Sequence, residues 1–166
     1  LAGREKLIIP VLMIFFALGG AMLGLGEETI PYITILVPVV MKLGFDSLTG
    51  AAIVLVGTTA GFTSAFMNPF TVGVAQGIAQ LPMFSGAGYR MIIWVVFVTV
   101  SIWYVMRHAD RVKKDPTKSP MYSADLAAVQ ETAAAGHDTR LTGSQKVVLL
   151  ILLATIVTLA VGVSKF

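Results

Sequence analysis

The region from Ala51 to Met83 stays largely apolar for about 33 residues, too many for one membrane crossing. As one helix it would run about 50 Å, against a hydrocarbon core of about 30 Å. Its middle also resists a continuous helix. The stretch from Gly57 to Gln76 carries Thr63, Ser64, Asn68, Pro69 and Thr71. Asn68 followed by Pro69 is a helix-start signal, because Asn caps and Pro fits the first helical position, where no backbone donor is needed. Two half-helices meeting between Ser64 and Phe70 satisfy both constraints. Non-helical backbone at membrane depth survives only when buried in protein or facing a wet cavity. Transporters use such breaks to hold substrate and ions. The alternative reading is a proline-kinked spanning helix with no ligand.

Composition supports a membrane setting. The 166 residues are 56% hydrophobic and 13% charged, with a mean hydropathy of +0.84. Soluble domains carry about 25% charged residues. The apolar residues fall in long runs, and the alternation of a membrane β-barrel is missing from the sequence. The fold class is therefore all-α integral membrane. With no cysteine, the chain has neither disulfides nor thiolate-ligated zinc or iron–sulfur centres. It opens on Leu1 rather than methionine, and it stops at Phe166, just after an apolar run. Both ends read as cut from a longer protein.

The first apolar run, Leu7 to Gly26, ends in a glycine-dense stretch, with Gly20 and Gly24 at small-xxx-small spacing. Glu27, Glu28 and Thr29 follow, and Thr29 with Pro31 predicts a new helix start. The second run, Ile30 to Leu43, has about 14 residues, or about 21 Å, too short to cross. A short return arm predicts a re-entrant hairpin over residues 1–50 with its tip near 27–29. An ordinary helix pair would instead leave the two glutamates in an outer loop. The broken helix occupies 51–83, with the break near 64–70. Gly57 with Gly61, and Gly73 with Gly77, predict close packing on one face of each half.

Residues 84–106 give a turn-rich loop and a spanning helix over Met91 to Met106, with Trp94, Trp103 and Tyr104 as interfacial anchors. Residues 107–146 form a polar loop with a short surface helix, Ser123 to Ala135, capped by Ser123 and stopped by Gly136. A last spanning helix, Val147 to Val163, lies in 147–166. Arg107, Arg111, Lys113, Lys114, Lys118, Arg140 and Lys146 crowd the 107–146 loop, which the positive-inside rule assigns to the cytoplasm of an inner (plasma) membrane protein. Arg4, Lys6 and Lys42 then fall on the same side, and Arg90 and Lys165 on the other.

Both polar breaks thus fall at similar depth. Each starts a half-helix, whose N–H groups and partial positive charge suit a carboxylate. Each also ends one, whose carbonyls suit Na⁺. The candidate binding residues are Glu27, Glu28, Thr29, Thr63, Ser64, Asn68, Pro69, Phe70 and Thr71, with a candidate Na⁺ position near Glu27, Glu28 and Asn68. A carboxylate at membrane depth costs about 2.5–3.5 kcal/mol on insertion scales, so it is usually paired or functional. The glutamates could hold a cationic amine, ligate Na⁺ or carry a proton.

The runs Gly26-Glu27-Glu28-Thr29-Ile30-Pro31, Gly44-Phe45-Asp46-Ser47, Asn68-Pro69-Phe70 with Gly73 and Ala75, and Arg111 to Pro116 with Ser119 resemble the YfcC-type branch of the DcuC-like anaerobic dicarboxylate carriers, within the ion transporter superfamily. The resemblance covers nearly the whole chain. It implies two inverted repeats, each with a re-entrant hairpin beside a broken helix, dimeric assembly, and an elevator-like movement of the site. By that likeness this chain holds about one repeat: hairpin, broken helix and two spanning helices. Phe62-Thr63-Ser64-Ala65-Phe66 replaces the glycine-serine that often precedes the Asn-Pro-Phe motif. The missing remainder of the transporter would complete the site.

Part of a secondary active transporter is the expected function. The substrates are small carboxylate-bearing metabolites, with amino acids such as arginine or ornithine favoured and coupling to Na⁺ or H⁺. A C4-dicarboxylate carrier and a non-transporting structural fragment are the alternatives. No cofactor and no nucleic-acid partner is expected. His-Glu-x-x-His and Gly-x-Ser-x-Gly motifs are both missing, which speaks against an enzyme. His108 and His137 read as solvated, and Asp110 and Asp115 as an ordinary charged juxtamembrane face.

Overall fold

The computed structural model describes residues 5–134, and the expectations for Arg4, Gly136, His137, Arg140, Lys146, Lys165 and the Val147 to Val163 helix lie outside them. The chain divides into two units, residues 1–127 and 128–166, and the described part of the second is the end of one helix. Among the described residues the secondary structure is entirely helical.

The first unit is built around one interrupted helix. α1 (Ile8–Leu18) runs into a wide π-turn (Gly19–Leu23). Glu27–Thr29 form a short 3-10 turn, and α2 (Ile30–Lys42) returns. α3 (Ser47–Thr63) follows and stops. After a gap the helix restarts as a π-turn (Pro69–Gly73) and α4 (Val74–Ile78). α5 (Ala87–Lys114) is one 28-residue helix. α6 (Tyr122–Ala134) closes the described chain. It begins one residue earlier than expected, so Ser123 lies inside the helix rather than capping it.

Two helices, Glu5–Leu23 and Ala87–Lys114, are long and apolar enough to cross a membrane. α2, with 13 residues or about 20 Å, is not. α5 exceeds the expected Met91 to Met106 segment at both ends, because the basic residues after Met106 continue its helix.

α3 packs on α1, α2 and α5. Ile9, Met13, Phe16, Val40, Phe45, Ile53, Val54, Val105 and Ala109 form the buried core, and Ala17, Ala60 and Val98 make a smaller cluster. The small residues of α3 permit this. A Cβ on Gly61 would collide with the backbone of Ala17, and one on Gly57 would lie 3.1 Å from the Met13 carbonyl. The matching expectation for Gly73 and Gly77 fails at Gly77, beside which the described residues leave open space.

α3 begins at a polar junction. Asp46 is 4% exposed and caps the helix, accepting from the Thr49 amide (3.1 Å) and hydroxyl (2.5 Å). It also accepts from Ser119 Oγ at 2.6 Å and meets His108 Nε2 at 3.0 Å. Burial pushes the Asp46 carboxyl up, but hydrogen bonds from Ser119, Thr49 and His108 outweigh it and hold the carboxyl below its usual range. Ser47 N donates to Asp125 at 3.0 Å. Lys113 pairs with Glu5, donates to the Leu43 carbonyl at 3.3 Å and lies 4.6 Å from the centre of the Phe45 ring. Lys6 pairs with Asp110. His108 and Asp110 are therefore not merely solvated. They tie α5 to the start of α3 and to the start of the chain, across separations that local sequence reading does not see.

α5 also serves as a ruler. His108 meets Asp46 at one end, and Trp94 Nε1 donates to the Ala17 carbonyl at 3.4 Å, with its ring edge-on to Phe66. These contacts are about 21 Å apart along the helix, and about 10 Å of α5 continues beyond Trp94. Trp94 thus packs against the first arm and the break. Trp103 and Tyr104 are exposed.

Candidate functional site

The end of the first arm and the break in the third helix meet. The π-turn at Gly19–Leu23 stops because Gly24 adopts a left-handed conformation (φ 74°), which glycine tolerates without steric cost. A Cβ there would also lie 2.9 Å from Asn68 Oδ1 and 2.6 Å from the Phe70 ring. Leu25 N donates back to the Gly19 carbonyl at 3.3 Å. The next two carbonyls are reached from the break: Asn68 Nδ2 donates to Gly20 O and Met67 N to Ala21 O, both at 3.3 Å. A helix end leaves carbonyls without intrahelical partners, and here the neighbouring break supplies donors for two of them.

Asn68 holds both sides. It is fully buried, and its Oδ1 accepts from Phe70 N (2.9 Å) and Thr71 N (3.3 Å). Pro69 occupies the first position of the new half-helix, as its missing N–H favours. Ser64, also buried, donates its hydroxyl to the Ala60 carbonyl at 2.6 Å. Thr29, 1% exposed, does not cap α2 with its side chain; its hydroxyl donates to Gly26 O at 2.6 Å. Glu28 Oε2 accepts from Gly26 N at 2.9 Å.

The predicted residues thus separate into two groups. Thr29, Ser64 and Asn68 are turned inward and engaged in holding backbone. Glu27, Glu28, Thr63, Pro69 and Phe70 are exposed. Asn68 occupies the Phe70 and Thr71 amides that a carboxylate would otherwise find, which leaves chiefly the positive helix end to attract one. Thr71 Oγ1 is buried with no partner.

Sequence reading missed Thr58. It is 4% exposed on α3, and its Oγ1 is buried without a hydrogen bond. It lines a pocket of about 300 Å³ beside the hairpin tip, together with Glu27, Thr59 and the apolar walls of Leu25, Leu55 and Phe62. The only signal in the sequence is the Thr58-Thr59 pair in an apolar helix, one turn before the break. Among the described residues no group of three or more His, Asp or Glu gathers to hold a metal ion.

Among the described residues the structure is all-helical, with two apolar helices of spanning length and two polar interruptions hydrogen-bonded to each other, a combination that suits an α-helical membrane protein. The chain belongs to the C4-dicarboxylate anaerobic carrier family, DcuC, whose family model matches residues 1–166. It is 44% identical over 123 residues to the "Putative basic amino acid antiporter YfcC" of Escherichia coli (strain K12), an alignment covering 74% of this chain and 24% of that protein. It is 30% identical over 120 residues to an uncharacterized protein of Haemophilus influenzae (strain ATCC 51907 / DSM 11121 / KW20 / Rd), covering 72% of this chain and 24% of that one. The chain therefore spans about a quarter of the length of the curated relatives it matches. No solved structure matches it.

Proposed function

We propose that this chain forms one half of the binding site of a secondary active transporter for small carboxylate-bearing metabolites, with basic amino acids such as arginine and ornithine as substrates. The observation that carries this reading is the junction of the two breaks. Asn68 and Met67 bind the end of the first arm, and a pocket of about 300 Å³ opens beside it with Glu27 on its wall. That volume suits a small metabolite. The short return arm α2, 13 residues or about 20 Å, supports a re-entrant hairpin.

Charge selects between substrates. Glu27 and Glu28 repel a second carboxylate and attract an amine, while the positive end of the half-helix at Pro69 attracts one carboxylate. A basic amino acid satisfies both. The name of the Escherichia coli relative points the same way. The family description favours the second reading, a C4-dicarboxylate carrier. Coupling to Na⁺ or H⁺ would draw on Glu27, since Asn68 Oδ1 already accepts two amides. We further assign the chain to the inner membrane, with residues 107–146 cytoplasmic, as part of a homodimeric carrier whose remainder supplies the opposing half-site.

Counterflow in proteoliposomes tests this reading. The carrier containing this chain, loaded with labelled arginine, should exchange it for external arginine or ornithine and far less for succinate. Exchange with succinate alone would favour the dicarboxylate reading. Absence of all exchange would reject transport.

A further inference from the structure

α5 carries two faces along its 28 residues. Val98, Val105, Ala109 and Val112 lie on one and are buried. At 3.6 residues per turn, Ile92, Val96, Val100, Trp103, Arg107, Arg111 and Lys114 share the other, within an arc of about 100°. All of them are exposed. The chemistry of this face changes in order toward the end of the helix: aliphatic, then aromatic, then basic. Ion pairing sets the basic part apart. Lys6, Lys113 and Lys118 pair with Asp110, Glu5 and Asp115. Arg107, Arg111 and Lys114 have no carboxylate partner among the described residues, and Arg107 lies over the Trp103 ring, 5.7 Å from its centre.

A phospholipid has the same order of chemistry: acyl chain, interface, anionic phosphate. Arg107 starts about 6 Å past Trp103, within the polar zone of about 5–8 Å that flanks the hydrocarbon on each side. Helical side chains lean toward the N-terminus of their helix, which here is toward the hydrocarbon, so Arg111 and Lys114 reach back toward that level. Guanidinium groups match phosphate with paired N–H donors, and the ring of Trp103 favours the interface. A soluble acidic partner would match the basic part of the face and leave the aliphatic part uncovered. We propose that Trp103, Arg107, Arg111 and Lys114 form a binding site for the phosphate of an anionic phospholipid, whose acyl chain lies along Val96 and Val100. The site is separate from the transport reading and needs only that α5 crosses the bilayer. With residues 107–146 cytoplasmic, the lipid belongs to the cytoplasmic leaflet.

The test uses the complete carrier containing this chain, purified in neutral detergent without substrate. Native mass spectrometry counts bound lipid during titration with phosphatidylglycerol or phosphatidylcholine, each with and without inorganic phosphate. Phosphatidylglycerol should occupy one tight site per protomer that phosphatidylcholine does not fill and inorganic phosphate does not empty. Each of Arg107→Gln, Arg111→Gln and Lys114→Gln should raise the Kd of that site about fivefold, and the three together about 100-fold. Arg107→Lys with Arg111→Lys keeps the charge and should stay within about fivefold of the unsubstituted carrier. Lys118→Gln, at a residue already paired with Asp115, should leave the Kd unchanged. Equal affinity in the unsubstituted carrier and the triple variant would overturn the proposal, as would equal filling by the two lipids. Displacement by inorganic phosphate would make this a free-anion site and reject the lipid. A triple variant that keeps its lipid but loses its assembly would reject it too, since the basic residues would then hold an acidic segment of the carrier. If the triple variant does not fold, the single variants decide, and an unchanged Kd in all three overturns the site. Because lipid is read without substrate, a carrier that exchanges nothing would reject the transport reading and leave this site standing.

Discussion

The two ends of α3 are built on opposite principles. At its start, Asp46 is buried and meets Thr49, Ser119 and His108, while Lys113 and Lys6 pair with Glu5 and Asp110 around it. At its end, Met67 N and the Asn68 and Ser64 side chains hold backbone, but several other polar side chains make no hydrogen bond. Thr58 and Thr71 keep buried hydroxyls without partners, and Glu27 and Phe70 are exposed. One end uses its polar atoms to fix helices together. The other fixes its backbone and leaves polar groups unengaged.

The largest effect should come from breaking the held end. Asp46→Ala removes a helix cap and leaves Ser119 and His108 without their acceptor, so it should cost about 2–4 kcal/mol in denaturant or thermal unfolding of the carrier in detergent. A loss below about 0.5 kcal/mol would mean the two ends do not differ as described. The pH dependence has a definite sign. The Asp46 carboxyl titrates below its ordinary 3.8 in the folded protein, so its contribution is full above that value and is lost as pH falls through the lower folded one. Stability of the unsubstituted carrier should therefore fall more steeply than that of Asp46→Ala below about pH 4.

Gly61→Ala comes next. Its new methyl would meet the Ala17 backbone, which cannot swing aside, and overpacking of this kind costs about 1–3 kcal/mol. Asn68→Ala should cost about 1–2 kcal/mol through the lost cap, and exchange should fall much further than stability, because the half-helix and the first arm lose their common brace. Asn68→Ala with exchange intact would break the comparison at its open end. Gln76→Ala should have the smallest effect, about 1 kcal/mol. Gln76 accepts from Phe84 N at 2.6 Å and donates to the Ser85 carbonyl at 2.9 Å, a clasp on the connection to α5 well away from both ends of α3.

Much of the fold was legible because it follows from length and local chemistry. The excess length of 51–83 and the Asn68-Pro69 pair located the break, and the shortness of the second arm marked α2. The cap of Asn68 is a local rule with a local outcome. What escaped were contacts made across long separations. Nothing near His108 announces Asp46, 62 residues away, and nothing near Trp94 announces Ala17. The same limit affected the site. Residue type suggested Thr29, Ser64 and Asn68 as ligands, but the fold turns them toward backbone. It leaves Thr58 unengaged, and a threonine pair in an apolar helix carries no sign of that.

The most direct test compares the two ends of α3 under substrate. In a carrier cleared of any cysteines outside this chain, which itself has none, Leu55→Cys in the pocket wall and Leu48→Cys near Asp46 each give a single reactive position, and both leucines are exposed. Labelling by a small thiol reagent should slow about tenfold at Leu55→Cys when arginine or ornithine saturates the carrier, as occupancy near 90% would produce. Labelling at Leu48→Cys should not change. Equal rates at Leu55→Cys with and without substrate, or equal protection at both positions, would contradict the account.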